Sequence, residues 1–328
     1  MGAIAEINLP QAASMCTRCP YNIKTSPSNT WECTVSLQED HVYESSGRRG
    51  QAPKWTLREG MVTRLFKKIS RKVELEDVLV WAQIALLNPS TELEAFVPGS
   101  SQQLARGLSA KQVGFEVQYS PNVVAVEIRG PGLPALSFFD LPGLILEAGT
   151  PELQFLVKVF DELTVKYIKH ESAIIICTRT MSSDAGLSKA NRLIRIHKAE
   201  HKCVGVLTMP DRLQGTAKSH TDFDGIFRGT QHKLHRGHYV TKQPGPDSSL
   251  DRKANDYHIL ARQEEEAFFD ESPHWGPGGE WEEFRDRCGT AVIQRYLSKE
   301  FARQILARSV MVISCVISCT NAAKVFQI

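Results

Sequence analysis

The sequence has almost no net charge, since 39 Lys and Arg residues against 37 Asp and Glu residues leave +2 over 328 residues. This balance excludes a partner chosen by charge alone, and we expect no nucleic acid to bind. An apolar run of about 20 residues, which a membrane-spanning helix needs, is also absent. We expect no signal peptide, and the eight cysteines follow no disulfide framework. We therefore expect reduced thiols in a cytoplasmic protein.

Metal-ligand patterns are sparse. Cys16-x-x-Cys19 has the spacing of half a zinc site, but no second cysteine pair stands at a suitable distance, so a surface loop is favoured over zinc or redox use. The run Glu264-Glu265-Glu266 is predicted to be a solvated helix face rather than a metal site. The histidines between His197 and His238 are predicted to be solvated or at the edge of the core.

Apolar periodicity predicts strands that alternate with helices, which is typical of an α/β fold with a largely parallel sheet covered on both faces. The predicted strands are Tyr21–Lys24, Trp31–Leu37, Val113–Tyr119, Val123–Ile128, Ala135–Phe139, Ala173–Cys177, Cys203–Leu207 and Gly237–Thr241. The predicted helices are Leu57–Ile69, Leu75–Leu87, one that opens at Pro151, Leu187–His197, Ala254–Phe269 and Trp281–Ala307.

The pattern changes near Arg252, beyond which only helices are predicted. We therefore expect three parts: an α/β domain over 1–250, a helical segment over 251–308 and an irregular tail over 309–328.

Two predicted strands end in acidic motifs. Phe138-Phe139-Asp140-Leu141-Pro142-Gly143 ends in Asp-x-x-Gly, and Leu207-Thr208-Met209-Pro210-Asp211 ends in Thr-x-x-Asp. Carboxylates at neighbouring strand ends are what a nucleotide site in an open α/β sheet requires. Asp140 would accept a hydrogen bond from a magnesium-bound water, Gly143 would let its amide approach a γ-phosphate, and Asp211 would read guanine. Either motif alone could be an ordinary turn, but together they favour a GTPase.

The loop that usually cradles the phosphates, Gly-x-x-x-x-Gly-Lys-Ser/Thr, does not occur in the sequence. Its backbone amides and lysine carry most of the phosphate recognition. We therefore expect the chain to hydrolyse GTP slowly or not at all, and leave open whether it is an enzyme.

The segment from Leu9 to Pro20 resembles the first switch of the dynamin superfamily, Leu-Pro-Arg-Gly-x-Gly-x-x-Thr-Arg-x-Pro. Five positions match without a gap: Leu9, Pro10, Thr17, Arg18 and Pro20. The resemblance covers almost all of residues 4–308. Within that range, Ile175–Asp211 resembles the fungal dynamin-like pattern. Gly237–Gln243 resembles the last guanine-contacting strand and loop of the family. Two further segments resemble the helices that lead into the bundle and stalk, namely Arg262–Phe269 and Arg285–Ala307.

This resemblance implies a large GTPase of the fungal dynamin-like type, with a P-loop-NTPase-like fold followed by a truncated helical bundle. It implies GTP as substrate and Mg²⁺ as cofactor. Thr17 would bind the magnesium and help place the attacking water, with Asp140 holding the ion through a water. The nucleotide would contact Asp140, Gly143, Thr208, Asp211 and Lys242. By the same resemblance we expect self-association through the GTPase domain and stalk, and membrane lipids or microtubules as partners. We also expect a peripheral membrane location and a role in membrane remodelling or organelle dynamics.

Three departures from the family pattern affect these expectations. The phosphate loop and its strand should precede the helix that ends near Ala3–Ile7, so the chain is expected to begin one helix late and to lack a central strand. The usual Thr-Lys-x-Asp is Thr208-Met209-Pro210-Asp211, and the two switch glycines are Ala12 and Ser14. The alternatives are a non-catalytic self-association module, or a fragment that does not fold stably because of a gap in its sheet.

Overall fold

The computed structural model describes residues 2–10, 17–44, 54–143, 154–171, 173–182, 189–213, 217–245 and 248–306. Within them the strands are β1 Tyr21–Pro27, β2 Glu32–Glu44, β3 Lys54–Ile69, β4 Val123–Gly130, β5 Leu136–Asp140, β6 Ile175–Thr180, β7 Cys203–Thr208 and β8 His238–Thr241. The helices are α1 Gly2–Ala5, α2 Leu75–Leu86, α3 Ser101–Arg106, α4 Gln154–Ile168, α5 Lys189–Ile196, α6 Ala217–Phe227, α7 Tyr257–Glu271 and α8 over 290–306. None of the described helices is both long and apolar enough to cross a membrane.

The first five strands form one sheet in the order β3-β2-β4-β1-β5. Only β1 and β4 run parallel, and the other neighbours are antiparallel. Alternate residues of β2, namely Cys33, Val35 and Leu37, are buried, as expected for a strand with one face on a core. Helix α2 covers that face, and together they bury one large apolar cluster.

The last three strands form a separate parallel sheet in the order β6-β7-β8. The central strand β7 is buried from Cys203 to Leu207, which is the continuous apolar pattern of a strand covered on both faces. The predicted α/β fold with helices is confirmed in its coarse form. The predicted largely parallel sheet is corrected to one mixed and one parallel sheet.

Two predicted elements are wrong. The predicted helix Leu57–Ile69 belongs to strand β3, because backbone pairing with β2 along most of its length outweighs the local apolar spacing. The predicted strand Val113–Tyr119 is irregular. Its backbone hydrogen-bonds to other partners instead: the Val117 N–H donates to the carbonyl of Leu87, and the Glu116 N–H donates to the Asn88 side chain.

After residue 251 the described chain contains the helices α7 and α8, joined by an irregular loop over 272–281. The helix predicted to begin at Trp281 is instead a 3₁₀ helix over Glu282–Arg287, followed by α8. Two features separate them: Cys288 makes a bridge with Val240 of β8, and Gly289 has φ +104°, in the region that favours glycine. The amino-terminal segment packs against these helices, since Gln294 donates to the carbonyl of Ile4 and Arg262 pairs with Glu6 at 3.0 Å.

Candidate functional site

The edges of the two sheets that face each other are β5 and β6, and neither has another strand partner among the described residues on that side. Three cavities of about 720, 700 and 160 Å³ lie between them and share lining residues. We call this space the slot.

Strands β5 and β6 run in the same direction across the slot. Their amino-terminal ends meet in the smallest cavity, which Leu136 and Ile174 line, and their carboxyl-terminal ends meet in the largest, which Asp140 and Thr178 line. Ligands of open α/β sheets bind beyond the carboxyl ends of the strands. The largest cavity, here called the site cavity, is therefore the candidate functional site, and its volume suits a small-molecule ligand.

Three of the predicted site residues line the site cavity together: Thr17, Asp140 and Thr208. They come from the switch-like segment, the end of β5 and the end of β7, and Leu9 and Pro10 of the same switch-like segment also line it. Residues 11–16, which include Ala12, Ser14 and Cys16, lie outside the described residues. Motifs far apart in the sequence thus converge on one cavity.

Asp140 is half-buried at the last position of β5, opposite Tyr21 of β1. No hydrogen bond or ion pair joins its carboxylate to another described residue. Removal from water disfavours the charged form, so the pKa of this carboxyl is raised above its usual value. A carboxylate in this state would gain from a nearby cation.

Thr17 is followed by Arg18, whose side chain contacts residues outside the lining of the site cavity. The Arg18 guanidinium donates to the Gln118 side chain at 2.9 Å and lies over the Phe115 ring. The Arg18 N–H donates to the Gln83 side chain at 2.8 Å. Arg18 therefore anchors the segment, and Thr17 is the member that lines the cavity. Cys19 is fully buried, and burial raises the pKa of its thiol, as befits a core residue.

The two named residues of the Thr208-x-x-Asp211 motif lie in different surroundings. Thr208 lines the site cavity and donates from its hydroxyl to the carbonyl of Arg179 at 3.3 Å. Met209 has φ 55° in the left-handed region, which is unfavourable for a residue of its type, and it starts a short 3₁₀ helix over Pro210–Arg212. Asp211 lies in that helix, exposed and outside the residues that line the cavity.

Lys242 and Gly143 also lie outside the lining of the site cavity. The Lys242 N–H donates to Glu265 and its ammonium lies over the Phe268 ring, whereas its neighbour Gln243 lines the cavity. Gly143 lines the second cavity, which it shares with Asp140. A side-chain carbon added at Gly143 would meet nothing, so space for close approach is present there.

Sequence reasoning missed the contribution of the segment that enters α7. Arg252, Tyr257 and His258 line the site cavity, and no motif in the sequence marks them. Arg252 is the one Lys or Arg among the described lining residues, and it already pairs with Glu76 at 3.3 Å. Burial and neighbouring cations lower the pKa of His258 to about 4, so it stays neutral at pH 7. The described lining thus offers little positive charge to a polyphosphate.

The residues present fit a magnesium ion. Mg²⁺ prefers hard oxygen ligands, and the Thr17 hydroxyl and the Asp140 carboxylate are such groups in one cavity. The half-buried Asp140 carboxylate, which makes no hydrogen bond or ion pair with another described residue, is the observation that supports the fit. When bound, the ion would offset phosphate charge.

The cavity at the carboxyl ends of these strands, lined by a switch-like threonine and a strand-end aspartate, lies where proteins of the open α/β class bind nucleotides. A family model described as "Dynamin family" matches residues 1–210. The chain belongs to the dynamin family.

Several curated proteins are similar to it at low identity. Interferon-induced GTP-binding protein Mx1 of Oncorhynchus mykiss is 26% identical over 220 residues, which is 66% of this chain and 34% of that protein. Interferon-induced GTP-binding protein Mx of Perca fluviatilis is 23% identical over 218 residues, 66% of this chain and 70% of that protein. Mx1 of Equus caballus is 22% identical over 278 residues, 83% of this chain and 34% of that protein. The chain thus spans about a third of the trout and horse relatives.

Proposed function

We propose that this chain binds guanine nucleotide with Mg²⁺ in the site cavity, as the nucleotide-binding part of a dynamin-like GTPase. The observation that carries the proposal is that Thr17, Asp140 and Thr208 line one cavity. Thr17 and Asp140 would hold the ion, and Thr208 and Gln243 would lie towards the nucleoside. Gly143 would serve the phosphates from the adjoining cavity, while Asp211 and Lys242 would reach the base from the rim.

Hydrolysis by the printed sequence should be weak. Each charge-assisted hydrogen bond to phosphate contributes about 1.5–3 kcal/mol, and the sequence contains no Gly-x-x-x-x-Gly-Lys-Ser/Thr to supply several of them. Arg252, already paired with Glu76, does not replace that loop. The fungal dynamin-like type and roles at membranes or on microtubules are proposals that rest on the sequence resemblance.

A titration with fluorescent GTP and ATP analogues, in Mg²⁺ and in EDTA, tests the proposal. We expect magnesium-dependent binding with a preference for guanine. Asp140→Asn should weaken binding in Mg²⁺ by about 10- to 100-fold and change little in EDTA, because it removes the charge that faces the ion. Asp211→Asn should reduce the preference for GTP over ATP. Asp251→Asn, an exposed acidic residue outside the cavity lining, is the control.

Equal affinity for both nucleotides, or binding by Asp140→Asn that matches the wild type in Mg²⁺, would contradict the proposal. GTP turnover by the purified chain is measured alongside, and turnover at the level of a family member that contains the phosphate loop would contradict the expected impairment.

A second candidate function, a self-association module without catalysis, has one observation in its favour. Strand β3 is the end strand of its sheet and exposes Leu57, Met61 and Leu65, by 73%, 61% and 55%. An exposed apolar end strand is a template for pairing with another chain. Sedimentation should show association that Met61→Lys/Leu65→Lys abolishes, with or without nucleotide. A monomer at all concentrations would rule this function out.

A further inference from the structure

One group of metal-ligating side chains lies away from the site cavity. His220 of α6 lies next to His274 and Glu280, which belong to the loop over 272–281 that follows α7. One ligand atom from each side chain lies within 4.8 Å of the others, and no other such group of three is found among the described residues. We call these residues the His-His-Glu cluster.

The same carboxylate oxygen binds both imidazoles. Glu280 Oε1 lies 2.9 Å from His220 Nδ1 and 2.8 Å from His274 Nδ1. The two nitrogens and the oxygen therefore already point at one another. A small cation bound by these three atoms would replace the two hydrogen bonds between the imidazoles and the carboxylate.

Contacts on either side hold the cluster in place. One helical turn along α6, Asp224 accepts a hydrogen bond from the Trp281 indole N–H at 3.3 Å. Directly after α6, Arg228 donates to Glu283 of the 3₁₀ helix that follows the loop, at 2.7 Å. The helix and the loop region are thus joined at two points beside the cluster, so the ligand atoms are positioned without a metal.

The loop itself is tightly packed. A side-chain carbon on Gly279 would lie 2.5 Å from the carbonyl oxygen of His274, so glycine is needed there. The His274 N–H donates to the Ser272 hydroxyl at 3.2 Å, and the Gly276 N–H donates to the Ser272 carbonyl at 2.8 Å. The buried Trp281 ring stacks on His220. His274 and Glu280 are therefore held on a defined backbone.

Two imidazole nitrogens and one carboxylate oxygen are a ligand set that suits zinc and not magnesium or calcium, which prefer oxygen throughout. The side chains of His220, His274 and Glu280 are 27%, 29% and 46% exposed, so an ion can reach them from solvent. We propose that His220, His274 and Glu280 bind one Zn²⁺ ion, with water in the fourth position, and that the ion fastens the loop to α6. This site does not depend on nucleotide binding.

Calorimetric titration of Zn²⁺ into the chelator-treated full chain tests the site. We expect one strong site per chain and a melting temperature that rises with Zn²⁺ concentration. His220→Gln/His274→Gln should weaken zinc binding by at least 10- to 100-fold, since even residues that only support ligands contribute that much. The matched control is His201→Gln/His235→Gln, which changes two exposed histidines and should bind zinc like the wild type.

A second variant separates ligation from folding. Glu280→Gln keeps an oxygen that can accept from the imidazoles but removes the charge, so it should fold and still lose zinc affinity. Bound Co²⁺ should show a spectrum of nitrogen and oxygen ligands without thiolate charge transfer, which separates the cluster from Cys16 and Cys19. Wild-type affinity in His220→Gln/His274→Gln, a thiolate band, or no zinc binding by the wild type would each overturn the proposal.

Discussion

Compared with the three-stranded sheet, the five-stranded sheet is held by a single apolar core. Its cluster extends from Ala5 to Leu133 and includes both strand and helix residues. The three-stranded sheet and its helices bury two smaller clusters instead, and a third cluster joins Val204 and Val206 of β7 to Leu136 of β5. Apolar burial is proportional to the area removed from water, so the first region has the larger continuous source of stability.

The second region differs also in the charged and polar groups that it buries. Its buried side chains include Arg179, His238 and Glu265, whereas among the described polar residues buried in the first region only Glu39 is charged, and it pairs with Arg64 and Arg58. A buried polar group contributes little when satisfied and costs much when left without a partner. The comparison implies that single polar substitutions and pH changes should damage the second region more than the first.

Glu265 should show the largest effect. It is 3% exposed, and its carboxylate accepts from the Lys242 N–H and the Thr290 N–H, both at 2.7 Å, and from the Thr290 hydroxyl at 3.1 Å. It thereby joins the end of β8 to the start of α8. Glu265→Ala should lower the free energy of unfolding by about 3–5 kcal/mol, because buried donors lose their acceptor. Urea unfolding measures the change.

The exposed neighbour provides the control. Glu266→Ala should change stability by less than about 0.5 kcal/mol. Equal losses for the two variants would show that the carboxylate does not join the elements, and the contrast between the two regions would then fail.

Glu265 also shows what the sequence could not reveal. Within Glu264-Glu265-Glu266 all three residues have the same chemistry, and the prediction of a solvated face was wrong for Glu265. Which residue of the run is buried depends on the distant Thr290, which no local pattern identifies. Likewise, Arg252 and His258 reach the site cavity only through the path of the chain into α7.

The sequence pattern predicted an element correctly where the apolar residues that form the pattern are also the buried ones. Helix α2 was predicted because its apolar residues follow the helical period, and strand β7 was predicted because it is a short continuous apolar run. Strand β3 was missed because its apolar residues Leu57, Met61 and Leu65 are exposed, so their spacing carries no information about a core. Asp140 and Asp211 were expected near one another because strand ends in α/β sheets share an edge, and Thr17 was expected there only by the dynamin resemblance. The edge argument does not tell which side chains line the cavity, and the lining contains Thr208 rather than Asp211.

Two glycines, one in each region, allow a second comparison of the two regions, with a smaller expected loss of stability than at Glu265. Gly205 of β7 pairs with His238 of β8, and a side-chain carbon added there would lie 2.1 Å from the His238 ring. Gly60 of β3, in the first region, has open space around it. Gly205→Ala should cost about 2–3 kcal/mol and Gly60→Ala almost nothing, because only the first creates a buried overlap. Thermal or urea unfolding measures both.

A double variant identifies the cause. If the His238 ring is the obstacle, Gly205→Ala/His238→Ala should lose less stability than the sum of the single changes. Strict additivity, or an equal cost at Gly60, would contradict the proposed overlap.

The smallest effect, a dependence of stability on pH, should also come from the second region. Burial, together with Arg179, His232 and Arg287, lowers the pKa of His238 to about 4. The unfolded histidine titrates near 6.5, so between these values the unfolded chain binds the extra proton and the folded chain does not. The contribution of neutral His238 to the free energy of unfolding is therefore fully present above a pH of about 6.5. It falls by about 1.4 kcal/mol per pH unit as the pH drops from there towards the folded pKa of about 4.

His258, with a pKa also lowered to about 4, acts in the same direction, whereas the raised pKa values of Asp140 and Glu265 act in the opposite one. The total pH dependence thus cannot be assigned to one group, but the difference between wild type and His238→Gln can, since the other groups are common to both. Urea unfolding from pH 7 to about pH 5 should give a shallower loss for the variant. Parallel curves would mean that His238 is protonated in the folded chain, and that its packing on Gly205 tolerates the charge.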